Sequence, residues 1–190
     1  MPTDKINGIN LYWELTGQVG EPLVLIHGSW GDHHNWGRVV EGLSKTFRVL
    51  TYDRRGHSQS ERLQEQGSME EDVTDLAALI KFLDLSPAHI VGNSGGAVVG
   101  LKTAASHPDL FRTLVVHEPP LFGLLKEIPE AQSMLQTVNN RIGYVVDLIE
   151  KGEEENAAER FVETVAFGPG AWRSCLMLCG KLLYLTLRLF

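Results

Sequence analysis

The stretch Gly92-Asn93-Ser94-Gly95-Gly96 limits what this chain can fold into more than any other. It stands between a strand-like run, Ala88-His89-Ile90-Val91, and a small-residue helix signal from Ala97 to Ala105. A serine flanked by glycines at a strand-to-helix turn can be held in a tight, strained backbone conformation. Its hydroxyl then projects from the sheet edge, and the Gly95 amide opens toward the space above it. The alternative is a plain tight turn, or one that binds an anion.

The rest of the chain supplies matching pieces. Ile6 to Leu15 alternates loosely around a Gly8 turn, which predicts a short hairpin. Leu23-Val24-Leu25-Ile26 is continuously apolar, as in a strand covered on both faces, and runs into His27-Gly28-Ser29-Trp30-Gly31. Trp36, Val39, Val40 and Leu43 recur at helical spacing, and Phe47 to Tyr52 is the next strand, followed by Asp53-Arg54-Arg55-Gly56-His57-Ser58. Ser68-Met69-Glu70-Glu71 is a capping box opening a helix with Val73, Leu76, Ile80 and Leu83 on one face. Arg112 to His117 is a further apolar strand, leading into Glu118. Strands alternating with helices predict an α/β fold with a mostly parallel sheet and helices on both faces. From about Leu121 the period changes. Leu135, Val138, Ile142, Val145 and Ile149 describe a long amphipathic helix, and Ala158, Phe161, Val162 and Val165 a second, stopped by Gly168-Pro169-Gly170.

A G-x-S-x-G turn with a strand before and a helix after, together with His27-Gly28 and Asp53-Arg54-Arg55-Gly56, resembles the α/β-hydrolase superfamily from about Ile6 to Trp172. The resemblance implies an α/β-hydrolase core over 1–120, an inserted helical cap over 121–170, and an atypical tail over 171–190. It implies a Ser94 nucleophile and an oxyanion hole built from the Gly95 N–H and a second N–H, from Ser29 or alternatively Trp30, with Trp30 also beside the substrate. His27 would anchor the oxyanion loop, and His33, His34 and His57 would be solvated or bonded within nearby loops. The family orders its triad Ser, then Asp or Glu, then His. Here no Asp or Glu follows Glu163 and no His follows His117. The expectation is therefore a truncated or altered terminus, with the last strands missing and the triad incomplete. Glu118, at a strand's carboxyl end, is either a replacement acid or a strand-end residue bonded to loop amides. His117 is the candidate replacement base, although neighbouring strand residues face opposite ways.

On this reading the chain hydrolyses a small uncharged ester or related acyl compound, with impaired activity and no cofactor. Carbon–carbon hydrolysis and perhydrolysis use the same elbow, and a non-catalytic ligand-binding remnant is the second class of function. A dinucleotide site is disfavoured, because Gly92, Gly95, Gly96 and Gly100 do not spell G-x-G-x-x-G. The net charge of −7 without a basic cluster argues against nucleic acid. No signal peptide is evident, two cysteines do not make a disulfide framework, and the cytoplasm is the expected compartment. Arg173, Lys181 and Arg188 interrupt the leucine-rich end, which argues against a membrane span. Cys175 and Cys179 share a helical spacing, but no further Cys or His neighbours them for zinc, so no metal site is expected. Without later strands, Leu114-Val115-Val116 becomes a sheet edge through which the chain can self-associate, unless Leu183, Leu185, Leu187 and Leu189 cover it as a strand.

Overall fold

A computed structural model describes residues 3–62 and 67–174. The chain divides into two compact units, Met1–Pro120 and Leu121–Phe190.

The first unit opens with a hairpin, β1 (Thr3–Ile6) and β2 (Ile9–Thr16). Its two-residue turn has positive φ at both Asn7 (49°) and Gly8 (90°), the turn that Asn-Gly favours because its twist matches the flanking strands. The apolar run Pro22–Ile26 is β3, followed by a 3-10 turn at His33–Trp36 and helix α1 (Gly37–Leu43). Strand β4 (Arg48–Tyr52) and helix α2 (Met69–Phe82) come next. Ser68 caps α2 through the reciprocal box its sequence foretells, with its side chain and that of Glu71 each bonding the other's backbone N–H. Strand β5 (Ala88–Asn93) runs two residues further than its apolar portion, into the glycine-rich turn itself. Helix α3 (Gly95–Ser106) and strand β6 (Phe111–His117) complete the unit.

The sheet order is β1-β2-β4-β3-β5-β6. The first two pairings are antiparallel; β4, β3, β5 and β6 are mutually parallel. Alternation along these strands makes two apolar layers. Val24, Ile26, Leu50 and Ile90 pack on one face with Leu76, Leu79 and Ile80 of α2 and Val99 of α3. Leu23, Leu25 and Val49 pack on the other with Trp36, Val40 and Leu43. Helices thus cover both faces, as the alternating pattern predicts. The helical spacing of Trp36, Val39, Val40 and Leu43 corresponds to the 3-10 turn and α1, with Val39 at the margin of the stripe and 45% exposed. β6 has a neighbour on one side only among the described residues, and Val115 and Val116 are exposed on it.

The second unit contains α4 (Gln132–Glu150) and α5 (Glu154–Phe161), the latter running into a five-residue π turn, Val162–Ala166. Leu135, Val145 and Leu148 of α4 are buried, as are Ala157, Ala158, Val162 and Trp172. Arg141 ties α4 to the π turn, donating from Nη1 to the Thr164 carbonyl at 2.9 Å. The carboxylate of Glu163 accepts from the Gly170 and Trp172 backbone N–H groups at 2.5 and 2.7 Å, which folds the chain back after the glycine stop. Cys175, Cys179 and the alternating leucines lie outside the described residues.

Candidate active site

Ser94 stands between β5 and α3 with φ 51° and ψ −120°, a strained conformation for a residue with a Cβ. It occupies the N-cap position of α3, but its side chain makes no capping bond, and among the described residues no histidine hydrogen-bonds Oγ. Its backbone N–H donates to the His117 carbonyl at 2.9 Å, so the end of β6 braces the turn.

Glycines make the turn possible by letting backbones approach. A Cβ on Gly92 would stand 2.5 Å from the Gly96 carbonyl oxygen, and one on Gly96 would stand 2.4 Å from the His27 carbonyl oxygen. Real Cβ atoms do not come so near, so the turn and the β3 loop interlock only with glycine at these positions. Gly28 passes beside the serine, with the site of its absent Cβ 3.0 Å from Ser94 Cβ. The absent Cβ of Gly95 would lie 2.8 Å from Ser29 Oγ and 3.4 Å from Ser29 N. Ser94, Gly95, Gly28 and Ser29 therefore form one cluster. Trp30 follows with φ 63° and is partly exposed.

The loops around this cluster are pinned by buried polar groups. His27 is fully buried; its Nε2 accepts from Arg54 N at 3.0 Å, and its Nδ1 faces the Gly28 carbonyl at 2.7 Å. The partners assign the proton to Nδ1, which donates to Gly28 O. Burial pushes the His27 pKa well below the usual histidine value, with the charges of His57 and Arg54 adding to the effect. His57 packs edge-on against it at 5.0 Å, and burial and Arg54 lower its pKa as well. Asp53 takes His33 N at 2.8 Å, His33 Nδ1 at 2.7 Å and Gln59 N at 3.0 Å, joining the loops after β3 and β4. Burial alone would lower the His33 pKa, but the hydrogen bond and charge of Asp53, helped by Asp32 and Glu14, raise it. Arg54 forks onto Asp72 and Arg55 onto Asp75, two carboxylates one turn apart on α2.

The sequence points to Ser94, Gly95, Ser29 and the anchoring role of His27; it gives no warning of Asp53–His33 or the two arginine forks. The available signal was Asp72 and Asp75, spaced by three beside an otherwise apolar helix face, with an Arg-Arg pair upstream. His117 Nδ1 faces Asn93 Oδ1 at 2.9 Å across the β5–β6 pair. Glu118 follows with φ 47° and is exposed, and the structure brings neither side chain into a hydrogen bond with Ser94. Asp32, His33 and His34 each offer a donor atom within 4.8 Å of the others, the one such group among the described residues. Two of its members are already engaged, Asp32 in capping the 3-10 turn and His33 Nδ1 with Asp53. No helix of the described residues is long and apolar enough to cross a membrane.

A family model described as the alpha/beta hydrolase fold matches residues 21–151, more than half of the chain. The chain belongs to the α/β-hydrolase fold family. It is 30% identical to the "Uncharacterized hydrolase YraK" of Bacillus subtilis (strain 168), over 83% of this chain and 59% of that protein. Among solved structures it is 32% identical to the enol-lactonase from Burkholderia xenovorans LB400, with a TM-score of 0.57, covering 60% of this chain and 45% of that one. An α/β hydrolase from Sphaerobacter thermophilus DSM 20745 shares the fold at a TM-score of 0.80 over 98% of this chain and 70% of that one, at 24% identity. The chain spans between about a third and three fifths of the curated relatives it matches, 59% for the first and 30% for the second.

Proposed function

We propose that the chain hydrolyses a small ester or related acyl compound through Ser94. In this reading Ser94 Oγ attacks the acyl carbon as its proton passes to the base, the leaving group departs from the tetrahedral intermediate carrying that proton, and water then cleaves the acyl-Ser94 bond, giving the acid and restoring the Ser94 O–H. The Gly95 N–H and the Ser29 N–H stabilise the oxygen that becomes negative. The observation that carries the reading is the strained Ser94 at φ 51°, with its hydroxyl spared from capping and Gly28, Ser29 and Gly95 gathered around it. The enol-lactonase likeness supports an acyl bond as the target, and the 121–170 helices are proposed as a helical cap.

His117 is the candidate base: its carbonyl accepts from Ser94 N–H, and its ring must leave Asn93 to serve. Glu118 is the candidate acid. Turnover is therefore proposed to be slow, carried by the oxyanion hole and binding, which in a worked serine hydrolase retain about 10³ to 10⁴ over water. The test is release of 4-nitrophenol from 4-nitrophenyl acetate by the purified chain. Expected is slow, saturable turnover that Ser94→Ala removes. Turnover unaltered in Ser94→Ala contradicts the assignment, and turnover lost in His117→Ala with the fold intact identifies the base. A non-catalytic ligand-binding role is the second reading, favoured by the absence of a histidine bonded to Ser94 Oγ among the described residues, and it requires no turnover above Ser94→Ala.

A further inference from the structure

Arg54 is a cation buried beside the Ser29–Gly95 junction, with the residue only 5% exposed. Two of its three nitrogens are spent on Asp72: Nε donates to Oδ1 at 3.1 Å and Nη2 to Oδ2 at 2.5 Å. That fork fixes the plane of the guanidinium. The third nitrogen, Nη1, is buried and has no hydrogen-bond partner among the described residues. A buried donor left unpaired is costly and asks for an explanation. Its position supplies one. Nη1 lies 3.4 Å from the point where a Gly95 Cβ would stand, the same point that Ser29 N and Oγ approach at 3.4 and 2.8 Å. The twelve-residue α3 begins at Gly95, so the positive end of its dipole lies at the same place. His27 and His57, on the neighbouring loops, are held toward their neutral forms by burial, with Arg54 adding to the effect on both.

We propose that Arg54 is a positioning residue for negative charge: held by Asp72, its Nη1 edge adds a positive field to the Ser29 and Gly95 N–H groups, so that the site prefers a ligand anionic at that point over a neutral one of similar shape. The proposal rests on Ser94 being the nucleophile. The ligand class is a tetrahedral anion formed on Ser94 Oγ. Asp72 limits the net field while keeping the free edge aimed, which makes Asp72 a partner in the same task.

Phenylboronic acid is the probe. When it adds to Ser94 Oγ, an O–B bond forms, the hydroxyl O–H bond breaks with its proton going to solvent, and boron becomes a tetrahedral anion seen by boron NMR. Benzamide, neutral and planar, reports on the pocket without the charge. Wild type is expected to show the tetrahedral resonance and Ser94→Ala to lose it. The paired variant Arg54→Gln with Asp72→Asn, which removes both charges and leaves a neutral amide in place of each, is expected to bind the boronate about tenfold or more weakly, a modest share of what one oxyanion donor contributes, with benzamide changed less than about twofold. Equal boronate affinity in the paired variant overturns the proposal, as does equal weakening of both ligands, which marks a merely structural role. Should the paired variant fail to fold, Arg54→Lys decides: it keeps an ion pair with Asp72 but lacks the second edge, so selective boronate loss is expected and unchanged boronate binding overturns the idea. A wild type without a Ser94 adduct overturns the nucleophile itself, an outcome distinct from an adduct that ignores Arg54.

Discussion

His27 is neutral in the native state because burial, reinforced by nearby positive charge, disfavours its protonated form. Unfolding returns it to water, where histidine titrates near a pKa of about 6.5. Below that pH the unfolded chain binds more protons than the native one, so the stabilisation held above about 6.5 is lost as pH falls toward the native value. His57 behaves alike, because burial lowers its pKa too. His33 runs the other way: its raised pKa gives stability that is complete below about 6.5 and is lost as pH rises through the native value. With two groups against one, the expected result is a lower melting temperature at pH 5 than at pH 7 by differential scanning calorimetry. His27→Gln should lower the melting temperature at pH 7 and flatten the slope between the two. A slope unchanged in His27→Gln contradicts the assignment of that proton.

The close approach of α3, β5 and the β3 loop makes a second prediction, now for whole elements. Gly96→Ala puts a methyl against the His27 and Ile26 carbonyl oxygens, at 2.4 and 2.5 Å, and backbone cannot step aside cheaply. A loss of about 2 kcal/mol or more is expected by urea unfolding, of the order that overpacking costs. Gly42→Ala, in α1 with open space around it, is the contrast and should be neutral or stabilising by up to about 1 kcal/mol. Equal losses at both positions contradict the role of close approach. The elements themselves were legible where hydrophobic period, caps and turn chemistry agree, as in the Asn7-Gly8 hairpin, β3 and the Ser68 box. What escaped was polar and long-range. Asp72 and Asp75 gain their partners only because the fold brings Arg54 and Arg55 across from a loop eighteen and twenty residues away. The Ser94 turn was readable because strain demands glycine in fixed places; the Asp53–His33 bond was not, since any acid and any histidine would look the same in one dimension.

At the scale of the molecule, β6 has no neighbour on its outer side among the described residues, with Val115 55% exposed and Val116 38% exposed. Unpaired apolar edges recruit other strands. Concentration-dependent association is expected on size-exclusion chromatography, and Val115→Lys should reduce it without changing the fold; association indifferent to Val115→Lys contradicts the edge as its cause. Whether the sheet and its loops expose Ser94 for acyl chemistry is decided by intact-mass measurement after incubation with a fluorophosphonate. A single adduct on Ser94 is expected, accumulating slowly because no histidine is bonded to its hydroxyl among the described residues, with no adduct in Ser94→Ala. An adduct of equal yield in Ser94→Ala, or none on Ser94 after prolonged exposure to excess probe, would contradict that role for Ser94.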